Sequence, residues 1–108
     1  MFERKREQEI VIEKNIEEVH EAVIKAVQNI KGFKLKAEDR ATHTIDINVS
    51  VSLFAWGEIM TVVLTDLGEN KTQVKASSRS KLGTEVAAGS RNEKNVAKLI
   101  EELNKVLG

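Results

Sequence analysis

The sequence predicts an α+β domain with the element order β-α-β-β-β-β-α, an antiparallel sheet with two helices packed on one face. Three observations carry that expectation. Residues 44–53, TIDINVSVSL, alternate apolar and polar without a break, the period of a strand buried on one side. Residues 15–32 and 90–108 space their apolar side chains three and four apart, the period of an amphipathic helix. Proline is absent, which suits long uninterrupted strands.

Residues 1–7 are charged and read as a disordered tail, leaving 8–108 as a single domain. In QEIVIE (8–13), Ile10 and Ile12 share one face of a short strand. Asn15 is placed to cap the first helix, with Glu17 and Glu18 at its positive end. Ile16, Val19, Val23, Val27 and Ile30 form its apolar stripe, and Gly32 stops it. FKLKAED (33–39) places Phe33, Leu35 and Ala37 together, and DRATH turns the chain. In 44–53, Ile45, Ile47, Val49, Val51 and Leu53 point inward. EIMTVVLTD (58–66) is apolar on both faces, with Met60, Val62 and Leu64 on one and Ile59 and Val63 on the other. DLGENK carries hairpin-turn residues. TQVKASSRSKL (72–82) turns Thr72, Val74 and Ala76 inward and continues through Ser78 and Ser80 to Leu82. Ser90 and Glu93 suit a capping box for the last helix, whose stripe is Val96, Leu99, Ile100, Leu103 and Val106. The first connection is the long one; the remaining strands follow as a meander.

Composition excludes several functions. The 17 basic and 17 acidic side chains cancel, which argues against nucleic acid as a partner, because non-specific affinity for it comes from neutralising phosphates. Without cysteine there is no disulfide, thiolate metal site or thiol nucleophile. No apolar run approaches the ~20 residues of a transmembrane segment. MFERKREQ has no apolar stretch behind its charges, so the expectation is a cytoplasmic protein or a soluble piece of something larger. Neither a nucleophile elbow nor a phosphate-binding glycine loop is present. His20 reads as a helix flank and His43 as a turn residue, each isolated, while Glu17, Glu18 and Glu21 read as capping and solvation. The expectation is therefore a non-enzymatic protein with no cofactor and no metal site.

Three features remain as candidate binding residues. Phe54 and Trp56 crowd into the FAWG connection, with Trp56 the better plug for the core and Phe54 the better rim contact. Lys71, Lys75, Arg79 and Lys81 share the outward face of one strand, either as the lysines that protect a sheet edge or as a contact for an acidic partner. Met60, Val62 and Leu64, or else Ile59 and Val63, fall on the side of the sheet that the helices do not cover, as the patch of a weak homodimer.

WGE (56–58) opening a strand, SSRSKLGTE (77–85) closing the sheet and GSRNEKNV (89–96) leading the last helix resemble a family of small uncharacterised bacterial domains. The strand-helix order also resembles the helix-grip pattern of START-like lipid-binding domains and the smaller TATA-binding-protein-like modules that contact proteins. The first likeness implies an apolar ligand and the second a protein partner. The expectation is a protein-binding or interaction module. The alternative is a small apolar-ligand or lipid-binding domain, with a hollow lined by Leu35, Val49, Val62 and Leu99.

Overall fold

The computed structural model of the chain describes residues 6–50, 58–80 and 89–108, with the side chains of all but residues 6, 79–80 and 89–93. Its elements follow the predicted order: β1 (Arg6–Ile12), α1 (Ile16–Asn29), β2 (Phe33–Asp39), β3 (Thr44–Val49), β4 (Glu58–Gly68), β5 (Lys71–Ser80) and α2 (Gly89–Leu107). Residues 51–53, expected to extend β3, lie outside the described residues, as do Phe54, Trp56 and Lys81.

All five strands form one antiparallel sheet in the order β1-β5-β4-β3-β2. The meander β2 to β5 is as expected. β1 adds to its far side, with Ile12 opposite Thr72 and Gln8 opposite Ala76. This corrects the reading of the lysine row as edge protection, because β5 is an interior strand and the sheet edges are β1 and β2.

Both helices form in the expected segments, α2 beginning at Gly89 so that Ser90, expected as its N-cap, lies inside it. The Asn15 side chain accepts a hydrogen bond from the Glu18 N–H at 2.9 Å, which satisfies one of the free amides of the first turn. Gly32 takes φ +90 after the helix, and a Cβ there would lie 2.6 Å from the Ser50 carbonyl oxygen. Only glycine fits that backbone and that approach. The β4–β5 hairpin turns through Glu69 and Asn70, both at positive φ, and the Gly68 N–H donates to Asp66 Oδ1 at 2.8 Å.

The core lies between the inner sheet face and the two helices. Val19, Val23 and Val27 of α1 and Val96, Leu99 and Leu103 of α2 share one buried cluster with Ile45, Ile47, Val62 and Leu64 of the sheet. Met60, Val62 and Leu64 are 0%, 0% and 3% exposed. They belong to the core and not to an open patch, a correction that follows from their register with Ile45 and Ile47. Ile59 and Val63 take the outer face, half-buried.

β2 departs from its predicted alternation. The register slips between Leu35 and Ala37, so a bulge at Lys36 sets Ala37 opposite Asp46 and Glu38 opposite the buried Ile45. Ala37 therefore lies with the outward residues, and Glu38 turns toward α1.

Candidate functional site

Two groups of polar side chains lie on the helix side of the sheet. The first is inside the domain. Glu58 pairs in register with Val49 and precedes Met60 by two residues, so it points into the core, where it is 1% exposed. Asn95 of α2, one helical turn before Leu99, is 6% exposed and its Nδ2 donates to Glu58 Oε1 at 2.7 Å. Along the inner face of β5 the side chains shrink toward this end, from Val74 to Ala76 to the buried Ser78. Leu35 stands across from Ile47 on the inner side at the β2 edge, yet is 42% exposed. The result is a carboxylate–amide pair among small and apolar side chains between the sheet and α2.

The second group lies at the other end of the sheet, about 20 Å away along β4. His20 follows Val19 on α1 and is fully buried. Its Nε2 donates to Glu38 Oε1 at 2.8 Å, and its Nδ1 lies 3.0 Å from Nδ1 of His43, the rings meeting edge to face. His43 Nε2 lies 3.4 Å from Glu17 Oε2. Arg40 bridges Glu21 at 2.7 Å and Glu38 at 3.2 Å. The His20 hydrogen bond above all, with the charge of Arg40, holds the Glu38 carboxyl below its usual range against the opposing effect of desolvation. The hydrogen bond to Glu21 raises Arg40 in turn.

This second group corrects the reading of two isolated histidines. The signal for His20 was in the helix period, since position 20 falls at i+4 from Ile16 and i−3 from Val23, on the buried stripe. No local pattern pointed to Glu38, because its orientation depends on the bulge.

The other candidates are more dispersed. Lys75 is exposed and pairs with Glu7 of β1 at 3.6 Å, so an acid offsets part of the basic row. Lys71 is exposed at the hairpin, and the Arg79 side chain is outside those described. An open depression of about 300 Å³ is lined by Ala37, Glu38, Asp39, Thr42, Thr44 and Asp46. Another of about 220 Å³ runs between α1 and the end of α2, beside Glu18, Glu21, Lys25 and Leu107. Neither is lined by Glu58. Among the described residues no group of three or more side chains could hold a metal ion, and no helix is long and apolar enough to cross a membrane.

No protein-family model and no curated protein matches the chain. Solved structures do match its fold. One is the di-domain ARO/CYC BexL of the BE-7585A biosynthetic pathway, 13% identical, with a TM-score of 0.68 over 97% of this chain and 46% of that one, so this chain spans about half its length. Another is norcoclaurine synthase from Thalictrum flavum in complex with dopamine and hydroxybenzaldehyde, 7% identical, with a TM-score of 0.68 over 95% of this chain and 85% of that one. A third is Ara h 8.0201, 13% identical, with a TM-score of 0.61 over 95% of this chain and 97% of that one. The expectation of a non-enzymatic protein is corrected by these likenesses, because a synthase is built on the same scaffold. Of the resemblances drawn from the sequence, the helix-grip one agrees with these structures: the chain has the helix-grip fold, a five-stranded antiparallel sheet packed around its C-terminal helix.

Proposed function

We propose that the chain binds a small, mainly apolar molecule between the sheet and α2, with Glu58 and Asn95 receiving its polar end. The observation that carries this reading is the Glu58–Asn95 pair, 1% and 6% exposed and 2.7 Å apart between the sheet and α2. A buried carboxylate costs stability relative to an apolar side chain of similar size. A carboxylate held in this place is a group to which a ligand with a hydrogen-bond donor could be directed. Beside it the inner face of β5 narrows to the small side chains Ala76 and Ser78, which would demand less displacement from such a molecule than larger ones. The partly exposed Leu35 at the β2 edge offers an apolar approach. A fold neighbour solved with dopamine and hydroxybenzaldehyde supports the size and chemistry of the ligand class.

The interaction-module reading has less support. On the outer face of the central strand β4 Ile59 and Val63 are half-buried and interleaved with Thr61, and the exposed apolar side chains Leu67, near the hairpin, and Val11, on β1, do not join them in one patch on that strand.

A carboxylate prefers a donor, which makes the ligand's charge the test. The probes are 2-phenylethylamine and phenylacetate, equal in shape and opposite in charge, titrated by calorimetry. The amine should bind at least tenfold more tightly, and Glu58→Gln should remove most of that preference. Equal affinities, or no binding of either probe at millimolar concentration, would overturn the proposal.

A further inference from the structure

The edges of the sheet, β2 and β1, are unlike each other. β2 is broken by the bulge at Lys36 and sets Lys34 and Lys36 in solvent. A bulge and exposed lysines are means by which an edge strand is kept from pairing with another chain. β1 has neither. It pairs with β5 in unbroken register, from Arg6 opposite Ser78 to Ile12 opposite Thr72, and Arg6–Ile12 contains no lysine, proline or glycine. The lysines expected from the sequence to guard an edge, Lys71 and Lys75, lie on the interior strand β5.

A strand in an antiparallel pair turns the N–H and C=O groups of alternate residues to opposite sides. On β1 one set meets β5, and among the described residues no strand takes the other. The side chains along this edge alternate in chemistry. Glu7, Glu9 and Val11 share the outer face with Ser77, Lys75 and Gln73 of β5, while Gln8, Ile10 and Ile12 share the inner face with Ala76, Val74 and Thr72. Ile10 and Ile12 pack against the core and are only half-buried, which leaves apolar surface along the open side. Glu7 and Glu9 are exposed. Lys75 lies 3.6 Å from Glu7 and stands opposite Glu9 in register, so one lysine faces two carboxylates.

We propose that β1 is a docking edge for an extended segment of another protein in which basic and apolar side chains alternate. The backbone of that segment continues the sheet, its basic side chains stand beside Glu7 and Glu9 on the outer face, and its apolar ones extend the core beside Ile10 and Ile12. Charge decides against a second copy of this chain. Two-fold pairing of β1 with itself, centred on Gln8, Glu9, Ile10 or Val11, sets Glu9 opposite or diagonal to a glutamate of the other copy. The β2 edge of a second copy carries lysines of the right sign, but its bulge interrupts the alternation that a paired strand needs. This docking edge is independent of ligand binding between the sheet and α2.

The test is binding of a capped peptide of alternating lysine and valine, matched in length to β1, to the full chain. One control replaces its lysines with glutamate; another N-methylates its backbone throughout, which keeps the side chains and removes the hydrogen-bond donors. NMR shifts report the affinity, and amide exchange of β1 is recorded in parallel. The lysine peptide should bind at least about tenfold more tightly than the glutamate peptide, because like charges along one edge repel. It should slow the exchange of the β1 amides that face away from β5 and lose its affinity on N-methylation. Joint substitution Glu7→Gln and Glu9→Gln should remove most of the charge preference. If that variant fails to fold, the peptide comparison on the unmodified chain decides alone. Equal affinities of the two charged peptides, undiminished binding after N-methylation, shifts confined to residues outside β1, or no binding at millimolar concentration would overturn the proposal. So would a dimer of the chain alone that protects the β1 amides, which would give the edge to a second copy.

Discussion

Asn95 of α2 donates a 2.7 Å hydrogen bond to Glu58 of β4, and the pair ties the C-terminal helix to the sheet through a carboxylate that water does not reach. Removing the donor leaves that oxygen to lose an interaction in a place where solvent cannot replace it. Asn95→Ala should cost about 1–3 kcal/mol. Glu58→Gln, which removes the charge and keeps a polar head, should cost less. Urea titration of both variants measures the difference, and an Asn95→Ala loss below about 0.5 kcal/mol would mean that the bond contributes nothing to docking α2.

The apolar seam of α2 is the larger contribution. Leu99 and Leu103 are both 0% exposed against the sheet and α1. Truncating either to alanine should cost about 2–5 kcal/mol, transfer and cavity effects together. The same denaturant titration reads it, and losses below about 1 kcal/mol at both positions would place α2 outside the cooperative unit.

Gly32 sets the geometry between α1 and β2. Its φ of +90 and the 2.6 Å approach to the Ser50 carbonyl leave no room for a side chain. Gly32→Ala should destabilise the fold by about 1–3 kcal/mol through backbone strain, with the clash added. A neutral effect in thermal unfolding would show that the helix end relaxes freely.

Glu38 gives the fold a pH dependence in the acid range. Its carboxyl is held below the ordinary value of 4.5, first by the hydrogen bond from His20 and then by the charge of Arg40. The folded protein therefore binds this proton less readily than the unfolded chain does. The stabilisation is complete above the unfolded value and is lost as pH falls through the folded one. Glu38→Gln should flatten the stability profile below about pH 4.5 and leave it unchanged near neutrality apart from a constant offset. An unaltered acid limb would mean that the ion pair does not form in solution.

The sequence was most informative where structure is local. The strict alternation of 44–49 and the valine stripe of α1 place Ile45, Ile47, Val19 and Val23 in the core, because strand and helix periods act over a few residues. It was least informative where one residue changes the phase or where distant segments meet. The bulge at Lys36 reverses β2, so Glu38 meets His20 and Ala37 leaves the inner face. His20 and His43 are 23 residues apart, and nothing local marks them as partners. The addition of β1 beside β5, which turns the lysine strand into an interior one, depends on a crossover whose landing place no strand pattern specifies. Glu58 shares the two-residue period of Met60, Val62 and Leu64, so its inward orientation was legible once that face is known to be the core, a point settled by the register with Val49, Ile47 and Ile45.

The measurement that bears most directly on ligand binding is the position of a bound probe. Isotope-filtered NMR on the full chain saturated with 2-phenylethylamine would record contacts between the ring of the probe and protein methyl groups. Contacts to Met60, Ala76 and Leu99, with the Asn95 side-chain amide shifted, are what the account predicts. Contacts confined to Ile59 and Val63 on the outer face, or to the depression beside Lys25 and Leu107, would contradict it.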